Sequence, residues 1–195
     1  ALEGALRSSL DGAMRIVAVT GIAGIGKSRV AEEFLDRIHA TPVRLLRGHC
    51  SSGGQAAPLQ PFRHVLGAIL DLDPGALAAG AERAAAAVAA RFPDLVEHAD
   101  ALRRVLVLER EDPTAAGSSD GAAVVHALVA ALADEAARQP LLILVDDWQW
   151  ADEACCQVVS TLARRAAQAP IMLILTSRDA DLRLGRRAAD LALPL

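Results

Sequence analysis

Residues 15–20, Arg-Ile-Val-Ala-Val-Thr, run straight into Gly21-Ile22-Ala23-Gly24-Ile25-Gly26-Lys27-Ser28. A continuous β-branched run of this kind reads as a buried parallel strand. The octet that follows has the pattern G-x-x-x-x-G-K-[ST], a loop whose backbone N–H groups can cradle phosphate. Beyond it the apolar spacing changes. Val30, Phe34, Leu35 and Ile38 recur at helical intervals, which predicts a helix from Lys27 to Ala40. A strand, a glycine loop and a helix in this order leave few folds open. The loop must lie beyond the carboxyl edge of a parallel sheet, where ligands of open α/β sheets bind.

Lys27 is the only lysine among the 20 Lys and Arg residues of the chain. The arginine and alanine bias reflects a GC-rich coding sequence, so a retained ammonium marks a position where guanidinium does not serve. Lysine is a compact charge on a flexible stem and arginine a planar fork; a narrow loop around a phosphate bridge has room for the former.

The rest of the chain alternates in the same way. Residues 43–48 read as a second strand, Leu141–Val145 as a third that ends at Asp146-Asp147, and Ile171–Thr176 as a fourth that ends at Ser177-Arg178. Leu191–Leu195 is a candidate fifth strand. Between strands two and three the pattern is helical: a stripe of Phe62, Val65, Leu66, Ile69 and Leu70, then Ala76–Arg91, Leu95–Glu109 and Gly121–Arg138. Glu111–Asp120 reads as the most flexible loop, and Asp152 is placed to cap a helix running to Ala169. Strands alternating with helices predict an α/β parallel sheet with right-handed crossovers. The expected organisation is a single domain over 1–195, with 14–50 and 139–195 as the nucleotide-binding core and 59–138 as a mostly helical insertion between strands two and three.

Composition narrows the function classes. A hydrophobic content of 53% in 195 residues suffices for a substantial core, and with aromatics at only 3% that core must be aliphatic. The net charge of −4 argues against a segment that binds nucleic acid directly, which would show a basic face. Arg164-Arg165 and Arg186-Arg187 read as solvated helix faces. Cys50, Cys155 and Cys156 form neither a disulfide framework nor a metal spacing, so buried free thiols in a reducing compartment are expected. No apolar run is long enough to span a bilayer, and the amino end has no signal-peptide pattern; a cytoplasmic domain without membrane contact is the expectation.

Three strand ends carry the chemistry. Gly21, Ile22, Ala23, Gly24, Ile25, Gly26, Lys27, Ser28 and Arg29 form the candidate nucleotide site, with Lys27 reaching the β- and γ-phosphates and Ser28 offering its hydroxyl to Mg²⁺. Asp146 fits the acid that complements Ser28 at the metal. Asp147 fits a base that polarises the attacking water, or a cap on the next turn. Thr176, Ser177 and Arg178 end the fourth strand, where a polar residue or an arginine fits a contact to the γ-phosphate or the attacking water; Arg178 also fits a surface arginine in a loop. Trp148 and Trp150 read as packing anchors, and His49 and His64 as ordinary polar or half-buried residues. Ser52-Gly53-Gly54-Gln55 resembles the signature loop of transporter ATPases. It lies too far ahead of Asp146 for that role, so a glycine-rich connector is the better account.

Taken together, Gly21–Ser28, Leu141–Asp147 with Trp148-Gln149-Trp150-Ala151-Asp152, and Leu173–Arg178 resemble the signal-transduction ATPases with numerous domains, within the AAA-type P-loop ATPases. The sequence looks like the ATPase module of large bacterial LuxR-type transcriptional regulators and multidomain adenylate cyclases. The Trp-Ala-Asp after the paired acids is the most specific part, though the group commonly has histidine where Gln149 stands. The loop leading to Gln60-Pro61-Phe62 is also similar. The resemblance implies a three-layer P-loop sandwich, bound ATP or ADP with Mg²⁺, and roles for Lys27, Ser28, Asp146, Asp147 and Arg178 as above. It further implies a switch whose partners are neighbouring DNA-binding or cyclase domains, or other copies in a nucleotide-dependent self-association. The group's Gly-Arg-Glu motif before the first strand does not occur here, so the chain reads as a segment of a larger protein.

The leading expectation is thus an ATP-binding, slowly ATP-hydrolysing switch module. A nucleotide-gated scaffold with little hydrolysis is the alternative, and a P-loop phosphotransferase with 62–138 as its lid a third.

Overall fold

A computed structural model describes residues 1–52, 57–72, 81–107, 119–178 and 192–194. In chain order the elements are α1 (Leu2–Leu10), β1 (Arg15–Thr20), α2 (Lys27–Arg37), β2 (Arg44–His49), α3 (Gln60–Ile69), α4 (Ala81–Arg91), α5 (Ala99–Val107), α6 (Ser119–Arg138), β3 (Leu141–Asp146), α7 (Glu153–Arg165), β4 (Ile171–Ser177) and β5 (Ala192–Pro194). The five strands form one sheet in the order β2-β3-β4-β1-β5. Every pairing is parallel. In the register between β1 and β4, Thr20 stands opposite Ser177, so the loop after β1 and the end of β4 leave the sheet side by side.

The alternation of side chains along each strand divides the core in two. Val17, Val19, Leu142, Leu144, Met172 and Ile174 face Ala5 and Leu6 of α1 and Ala31, Phe34 and Leu35 of α2. Ile16, Ile143, Val145, Leu173 and Leu175 face the other way, into a larger cluster with residues of α3, α5, α6 and α7. Covered on both faces, β4 is buried throughout, which is why its sequence is an unbroken apolar run. The edge strand β2 alternates buried and exposed positions instead, and its exposed Arg47 forms a bidentate pair with Glu32 of α2. At Gly48 a β-carbon would stand 2.8 Å from Pro61 Cβ, so only glycine lets the first turn of α3 lie this close to the sheet.

In the sequence the helices α3 to α6 lie between β2 and β3, which are neighbours in the sheet. A buried carboxylate fastens them to the sheet: Glu135 of α6 is 1% exposed and accepts from Arg44 of β2 and Arg91 of α4.

Several expected boundaries shift. The α2 helix stops at Arg37 rather than Ala40, because residues 38–41 close into a turn through the Thr41 N–H to Ile38 O bond, and Thr41 must be extended to precede Pro42. The third predicted helix opens with a 3₁₀ turn, Val96–His98, before α5 begins. Ala166 caps α7, ending it at Arg165 rather than Ala169. Trp148 is buried as a packing anchor, but Trp150 is 47% exposed and belongs to neither core cluster of the described residues. The three cysteines are buried and form no disulfide, and Arg164 and Arg165 are exposed. Arg186-Arg187, Gly53–Gln55, the start of the Ala76–Arg91 helix and most of the Glu111–Asp120 loop lie outside the described residues; Asp120 itself belongs to α6. Among the described residues no helix is long and apolar enough to cross a membrane.

Candidate functional site

The loop after β1 is shaped by its glycines. Gly24 and Gly26 have φ of 78° and 99°, a region that other residues adopt only with strain. Gly26 is the N-cap of α2 and supplies no side chain to the first turn, so the amides at the start of the helix are presented to a ligand. The first helical bond runs from the Val30 N–H to Gly26 O at 3.0 Å. The loop is tied to the neighbouring strand by the Gly21 N–H, which donates to Ser177 O at 3.2 Å. Lys27 Nζ folds back over the loop and donates to Gly21 O at 2.9 Å and Ile22 O at 3.1 Å. These two carbonyls hold the ammonium against the first residues of the loop. The side chains of Ile22 and Ile25, 72% and 64% exposed, are turned to solvent.

The acids at the end of β3 are wired to β4 and to the turn that follows. Thr176 Oγ1 donates to Asp146 Oδ1 at 2.9 Å and accepts the Asp147 N–H at 3.1 Å. Asp147 has φ of 57°, a left-handed conformation that aspartate tolerates better than most residues and that is often found at functional sites. Gln149 Nε2 donates to Asp147 Oδ1 at 2.7 Å, and Gln149 Oε1 accepts the Arg178 N–H at 3.0 Å. Asp152 caps α7 as expected, through Cys155 N–H to Oδ1. Its second oxygen accepts the Leu59 N–H, and Gln60 bridges back to Ser51, so the Trp-Ala-Asp segment and the Gln-Pro-Phe segment brace one another. On α2, hydrogen bonds from the Arg47 fork hold the Glu32 carboxyl below its ordinary range.

A cleft of about 260 Å³ opens between these elements, lined by Ala23, Gly24, Gly26, Lys27, Ser28 and Arg29 on one side and Asp147, Thr176 and Arg178 on the other. The loop, the second acid and the end of β4 therefore meet. Gly21, Ile22 and Ile25 stand outside this lining, and Asp146 reaches it through Thr176. Ile25 instead borders a wider concavity of about 630 Å³, shared by the start of α1, the end of β1 and Val30 and Phe34 of α2. Arg29 pairs with Glu33 across an exposed helix turn. The sequence marks Gln149 only as a departure from the histidine common in the resembling group; its bonds to Asp147 and Arg178 are not legible there. Nor does the sequence show that Thr176 joins the two acids.

A divalent cation fits the oxygen donors present. Among the described residues no group of three or more His, Cys, Asp and Glu could hold a metal by itself. Mg²⁺ characteristically needs no such cage; it takes one or two carboxylates, waters and the oxygens of a bound polyphosphate. Ser28, which lines the cleft, and Asp146, joined to Thr176 of that lining, are donors of this kind.

A parallel sheet with the glycine loop after its first strand, the paired acids after β3 and a polar end to β4 is the P-loop nucleoside triphosphatase fold. The chain belongs to the AAA ATPase domain family, whose family model matches residues 1–174, and it is thus a nucleotide-binding ATPase module. It is 31% identical over 182 residues to an uncharacterized protein of Rhizobium meliloti (strain 1021), a match covering 87% of this chain and 17% of that protein. In the structure of Drosophila ORC bound to AT-rich DNA and Cdc6, one chain is similar with a TM-score of 0.50 at 12% identity, over 100% of this chain and 50% of that one. The chain thus spans a sixth of the one and half of the other; the likeness to the second is one of fold.

Proposed function

We propose that this chain is the ATP-binding and slowly ATP-hydrolysing switch of a bacterial regulatory protein, a LuxR-type transcriptional regulator working in the cytoplasm. The observation that carries the reading is the single cleft shared by Lys27, Ser28, Asp147, Thr176 and Arg178. The Asp146–Asp152 segment supports the regulator assignment by its resemblance to the ATPase modules of such proteins.

In this reading the amides of residues 24–28 hold the phosphates at a helix N-terminus. Lys27 releases its carbonyl partners to meet the β- and γ-phosphates. Ser28 and Asp146 hold Mg²⁺, which supplies charge neutralisation on the polyphosphate. Asp147 orients and polarises the water that attacks the γ-phosphate, and Arg178 meets that phosphate from the end of β4. Residues 14–50 and 139–195 form the nucleotide core, with 59–138 as a helical insertion in one domain. The nucleotide state is read by neighbouring domains or by further copies of the chain.

ATP turnover by the full-length protein with Mg²⁺ tests this. Lys27→Ala should abolish binding and turnover together; Asp147→Asn should keep binding and slow turnover by about a hundredfold. Full activity in Lys27→Ala rules the function out, and unchanged turnover in Asp147→Asn removes the hydrolytic part.

A further inference from the structure

We propose that Gln149 is a positioning residue that sets the orientation of Asp147 and ties it to the end of β4. The inference rests on the reading of Asp147 as the group that activates water.

The clamp uses one donor and one acceptor of the carboxamide. A carboxylate can only accept and a backbone N–H can only donate. With Asp147 Oδ1 at 2.7 Å on one side and the Arg178 N–H at 3.0 Å on the other, the carboxamide can stand in one sense only, Nε2 to Asp147 and Oε1 to Arg178. The carrier of this amide is itself fixed. Trp148 is 1% exposed, and the turn it begins is closed by Trp150 N–H to Asp147 O at 3.0 Å and Ala151 N–H to Trp148 O at 2.9 Å. Asp147 is thus held twice, its main chain by Thr176 and its side chain by Gln149.

Two consequences follow. One carboxylate oxygen is taken by Gln149, so water activation falls to the other, in the cleft that Asp147 shares with Lys27 and Ser28. The same amide also joins Asp147 to the main chain of Arg178, another residue of that cleft, so the orientation of the acid is coupled to the position of the β4 end. An isosteric glutamate would set an acceptor against Asp147 and lose the clamp while keeping its volume. A neutral imidazole again offers one donor and one acceptor, and can restore it.

The experiment compares wild type, Gln149→Glu, Gln149→His and Lys27→Ala in the full-length protein at pH 8, measuring ATP affinity and single-turnover hydrolysis separately. Gln149→Glu should lower the hydrolysis rate by about tenfold or more with ATP affinity changed by less than about twofold, and Gln149→His should recover most of the rate. Hydrolysis that Lys27→Ala abolishes but Gln149→Glu leaves unchanged overturns the clamp alone. An equal loss of affinity and rate in Gln149→Glu, unrescued by histidine, marks a merely structural residue and also overturns it. Absence of turnover in the wild-type protein removes the hydrolytic reading, and the clamp with it.

Discussion

Thr176 Oγ1 donates to Asp146 Oδ1 at 2.9 Å, so the acid at the end of β3 is oriented by the strand beside it. The same oxygen accepts the Asp147 N–H, and Thr176 is 3% exposed. Thr176→Val keeps the shape but leaves a main-chain N–H and a carboxylate oxygen without this partner. We expect a loss of about 1–3 kcal/mol in urea unfolding, the cost of an unsatisfied buried group, while Thr176→Ser retains most of the stability. Equal stability of the valine and serine variants would show that the hydroxyl contributes nothing.

Lys27 is fixed by two carbonyls of its own loop, Gly21 O and Ile22 O. A compact ammonium fits between them, and a planar guanidinium of the same charge does not. Lys27→Arg should therefore weaken ATP binding by about tenfold or more even though the net charge is unchanged. Calorimetric titration with Mg·ATP measures this; wild-type affinity in the arginine variant contradicts it. The companion effect is a thermal shift: saturating ATP at a hundredfold excess over its dissociation constant stabilises the wild type by about 2.7 kcal/mol and the variant by less.

The strand, loop and helix at residues 15–37 were legible because the signals are local: a β-branched run, glycines at fixed offsets and a change of apolar period. Asp146 and Asp147 were legible for the same reason, standing where an apolar run stops. Thr176 was legible only as a polar strand end, and the role of Gln149 was not legible. Their meaning lies in bonds that cross 29 positions between Gln149 and Arg178, and 30 between Asp146 and Thr176. Glu135 was equally hidden, since its partner Arg44 is 91 positions away. Trp150 misled because a large aromatic is usually assigned to a core, whereas the 3₁₀ turn at 148–150 buries the first tryptophan and turns the second outward.

Glu135 should give the fold a dependence on acid. Burial would raise its pKa, but the hydrogen bonds and charges of Arg91 and Arg44 outweigh that and hold the carboxyl below its ordinary range. A depressed native value means that the contribution to stability is complete above the unfolded value of about 4.3 and is lost as pH falls through the native one. Glu135→Gln should cost about 2–3 kcal/mol at pH 7, less than for a fully buried pair because Arg44 and Arg91 are 23% and 34% exposed. It should also flatten the loss of stability below about pH 4.3. Denaturation midpoints across pH test both; a variant whose stability falls as steeply as wild type in acid sinks the assignment.

Asp152 is shared between two jobs. Oδ1 accepts the Cys155 N–H at 2.7 Å and caps α7, and Oδ2 accepts the Leu59 N–H at 2.7 Å, where Leu59 has φ of 57°. A helix cap alone is worth about 1 kcal/mol. Asp152→Ala should cost more, about 2–3 kcal/mol, because the buried amide of Leu59 is orphaned as well. Asp152→Asn keeps one oxygen for the cap but turns an NH₂ toward Leu59, so its cost should fall near that of the lost second bond, about 1–2 kcal/mol. Hydrogen exchange separates the jobs: the Leu59 amide should exchange faster in both variants, the Cys155 amide only in the alanine one. Slow exchange at Leu59 in Asp152→Asn would mean that the residue caps α7 and does not hold the segment ahead of α3.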